Sequence, residues 1–283
     1  SPVPRLRSRS RIAVPCFSCT GMINSPVMAD KKTSSGGTGG SGAAGSPIMT
    51  GSYPPLVQAA ALLPIILFYE VALAIVGISD RSRPLLDTWF AKLLGHVGLT
   101  AHFLPGVLVL AVLLVIHLWR RDPWQLRAAD LWRLWGQALL WTVPMVILYL
   151  LFTLPFAEML AAALSLFDVG RGGGFREIVI GVGAGVFEEF LFRLVLVSLV
   201  LLLMQKLFRT PAGAAQIVAI CLAAAVFAIA HPPGSGNAAR AQLEFLYRVA
   251  QGIYLGAVYL RSGFATAATA HAAFNTVAVL MAS

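Results

Sequence analysis

Residues 177–208 read EIVIGVGAGVFEEFLFRLVLVSLVLLLMQKLF, an apolar stretch that is longer than one membrane crossing requires. A transmembrane helix needs about 20 mostly apolar residues. Besides Glu177 and Lys206 near its ends, the stretch has three ionisable residues in its middle, Glu188, Glu189 and Arg193. Each charged residue at the centre of a membrane helix costs roughly 2.5–3.5 kcal/mol on insertion scales. Because such a cost is usually tolerated only for a purpose, the three residues mark a candidate functional site.

Further apolar stretches lie on both sides of this one, and together they predict a bundle of membrane helices. In chain order the candidate spans cover residues 56–78, 103–119, 134–155, 177–208, 214–231, 245–260 and 264–281. Backbone groups in lipid must be satisfied within their own segment, and no stretch alternates as a barrel strand does. We therefore predict an all-α, polytopic, integral membrane protein with about six to eight transmembrane helices and the active site inside the bundle.

The composition of the whole chain agrees with a bilayer environment. Of the 283 residues, 58% are apolar and only 12% charged, whereas a soluble domain carries about 25% charged residues. A mean hydropathy of +0.80 excludes general disorder. The formal net charge of +9 does not indicate a nucleic-acid partner, because the basic residues form no contiguous face. The expected partners are the lipid bilayer and a substrate, with no nucleic acid.

Residues 1–54 differ from the rest in being rich in Ser, Gly, Pro and Thr, which predicts a disordered tail ahead of a transmembrane domain at residues 55–283. Met28 begins a segment that resembles a natural start, and we favour a start placed too early over a transit-like peptide for what precedes it. A C-x-x-C at Cys16 and Cys19 has no second pair, so no zinc site or disulfide framework is expected. Cys221 lies in an apolar run and is expected to be buried.

The charged residues of the fourth span fall on two helical faces. Glu189 and Arg193 are four residues apart, so they share a face and can form an ion pair. Glu188 points about 100° away and is left without that partner. A carboxylate of this kind can take a proton from water.

Two further polar sets follow on later spans. His231 ends the fifth span, one turn after Phe227 on the same face. His271 and Asn275 are four residues apart on one face of the seventh span. Histidine and asparagine can donate hydrogen bonds to a developing oxyanion. Gln251, in the sixth span, is a weaker candidate for lining the same site.

Taken in order, Glu-Glu-x-x-x-Arg, Phe-x-x-x-His and His-x-x-x-Asn resemble the motifs of the CAAX-protease and bacteriocin-processing (CPBP) intramembrane proteases, the group that includes the eukaryotic Ras-converting endoprotease. The stretch from Leu255 to Gly263 also looks like the family's segment before its last motif. The resemblance covers about residues 174–280. It implies an intramembrane endopeptidase acting on a membrane-associated or lipid-modified protein or peptide.

The resemblance also implies a role for each matching residue. Glu188 would be the general base that activates water, and His231 would help to hold that water. His271 and Asn275 would stabilise the oxyanion. Glu189 and Arg193 would form a structural ion pair that orients Glu188.

A zinc-dependent version of the same protease is an alternative. Glu188, His231 and His271 could supply three ligands and leave one position open. We prefer the metal-free interpretation, without a cofactor, since these residues lack the His-x-x-x-His pair of the zincins.

Other functions remain as alternatives. A non-catalytic membrane protein of the same fold, such as a bacteriocin immunity factor or a scaffold, would use these residues structurally. In that case the glutamates would complement a helix N-terminus, and the later polar residues would join helices. A transporter has weaker support, because the spans show no internal repeat. His117 lies near the end of the second span and is expected at the membrane interface.

Overall fold

The computed structural model describes residues 53–76, 104–153, 174–231 and 238–282, all within one compact unit, Ala44–Ser283. The predicted N-terminal tail, with Cys16 and Cys19, lies outside the described residues up to position 52. Every predicted span is helical over its described part except at the last residues of two spans, Phe208 and His231, and the described residues contain no strand. The helices, in chain order, are α1 Pro55–Val76, α2 Leu104–Arg120, α3 Ala128–Thr153, α4 Phe175–Glu189, π1 Phe190–Val197, α5 Ser198–Leu202, π2 Leu203–Leu207, α6 Ala212–Ala230, α7 Ala238–Ser262 and α8 Phe264–Ala282.

Four of these helices, α1, α3, α6 and α8, are long and apolar enough to cross a membrane. Helix α2 is apolar but shorter. The fourth predicted span is divided among α4, π1, α5 and π2. The sixth corresponds to α7, which begins earlier than predicted, at Ala238, and carries Arg240, Glu244 and Arg248 in its first half. The all-α membrane-type fold predicted from the sequence is confirmed.

Helix α8 is the most buried of the four apolar helices, and α4 packs along it. Glycine makes this close approach feasible, as in other membrane helix pairs with small residues four apart. A Cβ on Gly185 would lie 2.6 Å from the Cα of Ala272, and one on Gly181 would lie 3.1 Å from the Cβ of Asn275. The contact between α4 and α8 therefore sets the distance between the Glu188–Glu189 pair and the polar residues of α8.

Replacing Gly185 with alanine is expected to destabilise the bundle by about 1–3 kcal/mol, the usual cost of overpacking. The added methyl group meets the backbone of α8, which cannot rotate away as a side chain can. The measurement is thermal unfolding in detergent. Gly136→Ala on α3 is the matched control, because nothing lies within 4 Å of its added Cβ. Equal unfolding temperatures for the two variants would contradict this description of the α4–α8 contact.

The start of α8 is held by a short turn and by polar contacts to α1 and α3. Gly263, between α7 and α8, has a φ of 92°, a left-handed conformation that favours glycine. Ser262 Oγ accepts hydrogen bonds from Gln137 Nε2 at 3.0 Å and Trp141 Nε1 at 3.2 Å. Gln58 Oε1 accepts from the backbone N–H of Ala265 at 3.1 Å and so satisfies a donor in the first turn of α8. These contacts fix the position of α8, which carries His271 and Asn275.

One expectation about burial is wrong. Cys221 is exposed, because it lies on the outward face of α6, where an apolar environment would be supplied by lipid. His117 lies in the last turn of α2, as its place near the end of the span predicts, and it is fully buried there, with its ring edge-on against Trp124 at 4.6 Å between centroids. The order of apolar residues along the chain does not show which face of a helix meets a neighbour.

Candidate active site

The two adjacent glutamates lie where an α-helix changes to a π-helix. Glu189 is the last residue of α4, and Arg193 lies within π1. A regular α-helix is expected from the apolar pattern of this span, so the π segment differs from the prediction. A π-helix bonds each residue to the fifth along, and such segments often occur at functional sites. Here the change of geometry begins directly after Glu189.

Glu189 joins three helical segments through one buried carboxylate. Its Oε1 lies 2.7 Å from Arg193 Nη1 and 2.9 Å from His271 Nδ1. Arg193 also donates from Nη2 to the carbonyl oxygen of Gly252 at 3.3 Å. All three charged or titratable side chains are almost completely buried. The ion pair expected from the four-residue spacing is therefore present, but it also includes His271, which the spacing could not show.

Glu188 lies against a different histidine. Glu188 Oε1 is 3.2 Å from His231 Nε2, although the two residues are on separate helices. The side chains are 13% and 23% exposed, respectively, so a water molecule or substrate can reach them. Glu188 and Glu189, adjacent in sequence, thus have different environments: the first is accessible and the second is closed inside the bundle.

The hydrogen bonds of His231 determine where its protons lie. His231 Nδ1 is 2.8 Å from the carbonyl oxygen of Phe227, which can only accept, so Nδ1 carries a hydrogen. In a neutral ring Nε2 then has a lone pair facing Glu188 Oε1. A hydrogen bond between these two atoms requires one more proton, held by the carboxyl or by the imidazole. The pair is therefore arranged to hold and transfer a proton.

The polar residues of α8 contact α4 in two places. His271 Nδ1 faces Glu189, and Asn275 Nδ2 donates to the carbonyl oxygen of Gly181 at 2.9 Å. His271 Nε2 lies 3.5 Å from Gln251 Nε2, at the long limit of a hydrogen bond. Both ring nitrogens of His271 thus have neighbours, whereas the second N–H of the Asn275 amide has no hydrogen bond to any residue that the structure describes.

Phe227 occupies the space between the two histidines. Its ring centroid lies 4.5 Å from that of His231 and 6.3 Å from that of His271. The Arg193 guanidinium carbon lies 4.9 Å from the same ring centroid, close enough for a cation–π contact. The four-residue spacing predicts that Phe227 and His231 share a helix face, and the carbonyl and the ring of Phe227 both reach that histidine. The contact of the same ring with His271 was not predicted.

The predicted site residues form two connected groups. Glu188 contacts His231, while Glu189, Arg193 and His271 contact one another. Asn275 is bound to the backbone of α4. Within the ranges that the structure describes, no three His, Cys, Asp or Glu side chains are grouped so as to hold a metal ion. The zinc alternative therefore has no support from the arrangement of Glu188, His231 and His271.

Residues 175–277, which contain all of these positions, match the family described as type II CAAX prenyl endopeptidase, Rce1-like. The match confirms the family resemblance drawn from the three motifs. No curated protein and no solved structure matches the chain.

Proposed function

We propose that this chain, whose residues 175–277 belong to the Rce1-like type II CAAX prenyl endopeptidase family, is an intramembrane endopeptidase in which Glu188 and His231 activate water. The family is one of CAAX-type proteases. The observation that carries the proposal is the 3.2 Å contact between Glu188 Oε1 and His231 Nε2, in a pair that remains partly exposed. A carboxylate paired with a histidine in an accessible position is suited to general base catalysis.

In the proposed reaction, Glu188 accepts a proton from water as the water oxygen attacks the carbonyl carbon of a peptide bond. His231 Nε2 holds the water or stabilises the charge on Glu188. The proton then passes to the peptide nitrogen as the C–N bond breaks. The products are a carboxylic acid and an amine, which become a carboxylate and an ammonium group by proton transfer, and neither side chain is consumed.

The oxyanion formed at the carbonyl requires hydrogen-bond donors, and α8 has two suitable residues. Asn275 donates one amide N–H to Gly181 and has a second one for the oxyanion. His271 can donate from Nε2 when that nitrogen carries a proton and substrate has displaced Gln251. Glu189 would stabilise the resulting positive charge, since its carboxylate already contacts Nδ1. Donors of this type typically contribute about 10²–10³ in rate.

Glu189 and Arg193 act as positioning residues in this proposal. Their side chains bond to each other, to His271 Nδ1 and to the carbonyl oxygen of Gly252, so their role is to hold these groups in place. Glu189 precedes π1 and is bonded to His271 on α8, so it links the backbone that carries Glu188 to the oxyanion side of the site. The ion pair would therefore fix the position of the general base relative to the oxyanion donors.

The surrounding bundle supports a multi-pass membrane location and a membrane-associated or lipid-modified substrate. Helices α1, α3, α6 and α8 have the length and composition of spans, and their exposed faces carry many large apolar side chains. A lipid-modified peptide can enter such a site between helices without leaving the bilayer. A prenylated protein ending in a CAAX sequence is the substrate class that the family description suggests.

Purified protein in liposomes is expected to cut a peptide ending in prenylated Cys-aliphatic-aliphatic-X, with products identified by mass spectrometry. Activity should persist after treatment with the chelator 1,10-phenanthroline, because Glu188 and His231 activate water without a metal. Loss of activity to the chelator and its recovery with zinc would favour the zinc-dependent alternative. Intact substrate after incubation with a panel of prenylated peptides would contradict the proposed function.

A further inference from the structure

Gln251 on α7 is a buried polar residue that the proposed reaction does not use. Its side chain is 1% exposed. Its Nε2 lies 3.5 Å from His271 Nε2, and the next residue, Gly252, accepts a hydrogen bond from Arg193. This part of α7 therefore borders the polar network of the site.

The direction of hydrogen bonding along this network follows from its charged end. The Glu189 carboxylate pairs with Arg193 Nη1 at 2.7 Å, and its Oε1 accepts a hydrogen bond from His271 Nδ1–H at 2.9 Å. A neutral His271 then has a lone pair on Nε2, which can accept from the Gln251 amide N–H. The orientation of Gln251 that suits this chain of donors turns its Nε2 toward His271.

The same orientation leaves Gln251 Oε1 without a hydrogen bond among the residues that the structure describes. A buried acceptor in this state costs about 1–3 kcal/mol. A buried acceptor without a partner requires an explanation. One explanation is that a bound ligand supplies the missing donor. The location suits a ligand, because the Phe227 ring contacts both His271 and His231, and His231 contacts Glu188.

We propose that Gln251 Oε1 accepts a hydrogen bond from a backbone N–H of the bound peptide, so that α7 contributes a substrate-binding residue. The inference rests on the proposed peptidase function. An acceptor oxygen requires a donor, and an extended peptide presents a backbone N–H at most positions, whereas an isoprenoid or acyl chain presents none. Substrate binding would also move the Gln251 amide away from His271 Nε2, which can donate to the oxyanion once it carries a proton.

The test compares peptide binding with and without Gln251 in the Glu188→Gln protein, where hydrolysis is blocked. The ligands are a fluorescent prenylated Cys-aliphatic-aliphatic-X peptide and analogues in which each backbone amide in turn is replaced by an ester. One ester analogue should bind about tenfold more weakly than the amide when Gln251 is present. In Gln251→Met the same two peptides should bind equally. If the ratio of ester to amide affinity is the same in both proteins for every analogue, the inference is overturned.

Controls separate this result from loss of fold and from failure of the proposed function. Gln242→Met changes an exposed glutamine on the same helix. This variant should still bind the amide peptide more tightly than the ester analogue. If Gln251→Met does not fold, Gln251→Asn is compared instead, because its side chain is one methylene shorter and its amide oxygen lies farther from the peptide. Cleavage by the unsubstituted chain is measured in parallel. Absence of Glu188-dependent cleavage would overturn the proposed function. Normal cleavage, together with amide and ester peptides that bind equally well when Gln251 is present, would overturn only the role of Gln251.

Discussion

Replacing Glu188 with glutamine is expected to lower kcat/KM for peptide hydrolysis by about 10²–10⁴, the usual contribution of a general base. Glutamine has nearly the same shape, and its amide can donate to the His231 Nε2 lone pair that faces Glu188 Oε1 at 3.2 Å. The substitution therefore keeps the contact between the helices and removes only the ability to accept a proton from water. The measurement is cleavage of a prenylated peptide by purified protein in liposomes.

The matched control for this variant is Glu244→Gln. Glu244 pairs with Arg240 on the surface of α7 at 3.3 Å, and surface pairs of this kind contribute little. Its activity should remain within about twofold of the unsubstituted protein, since it lies in the exposed first half of α7. Full activity of Glu188→Gln, with unchanged unfolding, would remove Glu188 from the reaction and favour a non-catalytic role for the fold.

Arg193→Met is expected to give the largest loss of stability, about 3–5 kcal/mol, the typical cost of removing one partner from a buried ion pair. The Arg193 and Glu189 side chains are 1% and 0% exposed, so water cannot solvate the carboxylate left behind. The variant also loses the hydrogen bond to Gly252 and the contact with the Phe227 ring. Thermal unfolding in detergent would measure the loss.

Two comparison proteins make this prediction specific. Combining Arg193→Met with Glu189→Gln removes the uncompensated charge and should recover part of the stability, although peptide hydrolysis should stay low because His271 loses its carboxylate partner. Arg133→Met is the exposed control, since Arg133 is 74% exposed and pairs with Asp130 at 3.6 Å. A loss for Arg193→Met no greater than that for Arg133→Met would contradict the structural role of the buried pair.

Most of the fold could be predicted from apolar stretches alone. Each candidate span is helical over nearly all of its described residues, because a long apolar segment in lipid must satisfy its own backbone. The Glu189–Arg193 contact could also be predicted, since a four-residue spacing brings two side chains together without knowledge of other helices. Both predictions depend only on local geometry.

The arrangement between helices could not be predicted in the same way. The bond from Glu189 to His271 joins residues 82 positions apart, and the motif spacing contains no information on how α4 and α8 pack. The π-helix after Glu189 departs from the regular 3.6-residue period on which the prediction of this span depends, so it was not predicted. The second contact of Phe227, its ring against His271, likewise depends on how α6 meets α8.

The most direct test of the central claim is the activity of the double variant Glu188→Gln/His231→Ala beside the two single variants. If Glu188 and His231 act together on one water molecule, their effects are not additive. The double variant should then have a kcat/KM for the prenylated peptide within about threefold of the slower single variant. Losses that multiply, or activity retained by either single variant, would contradict a shared role for the two residues.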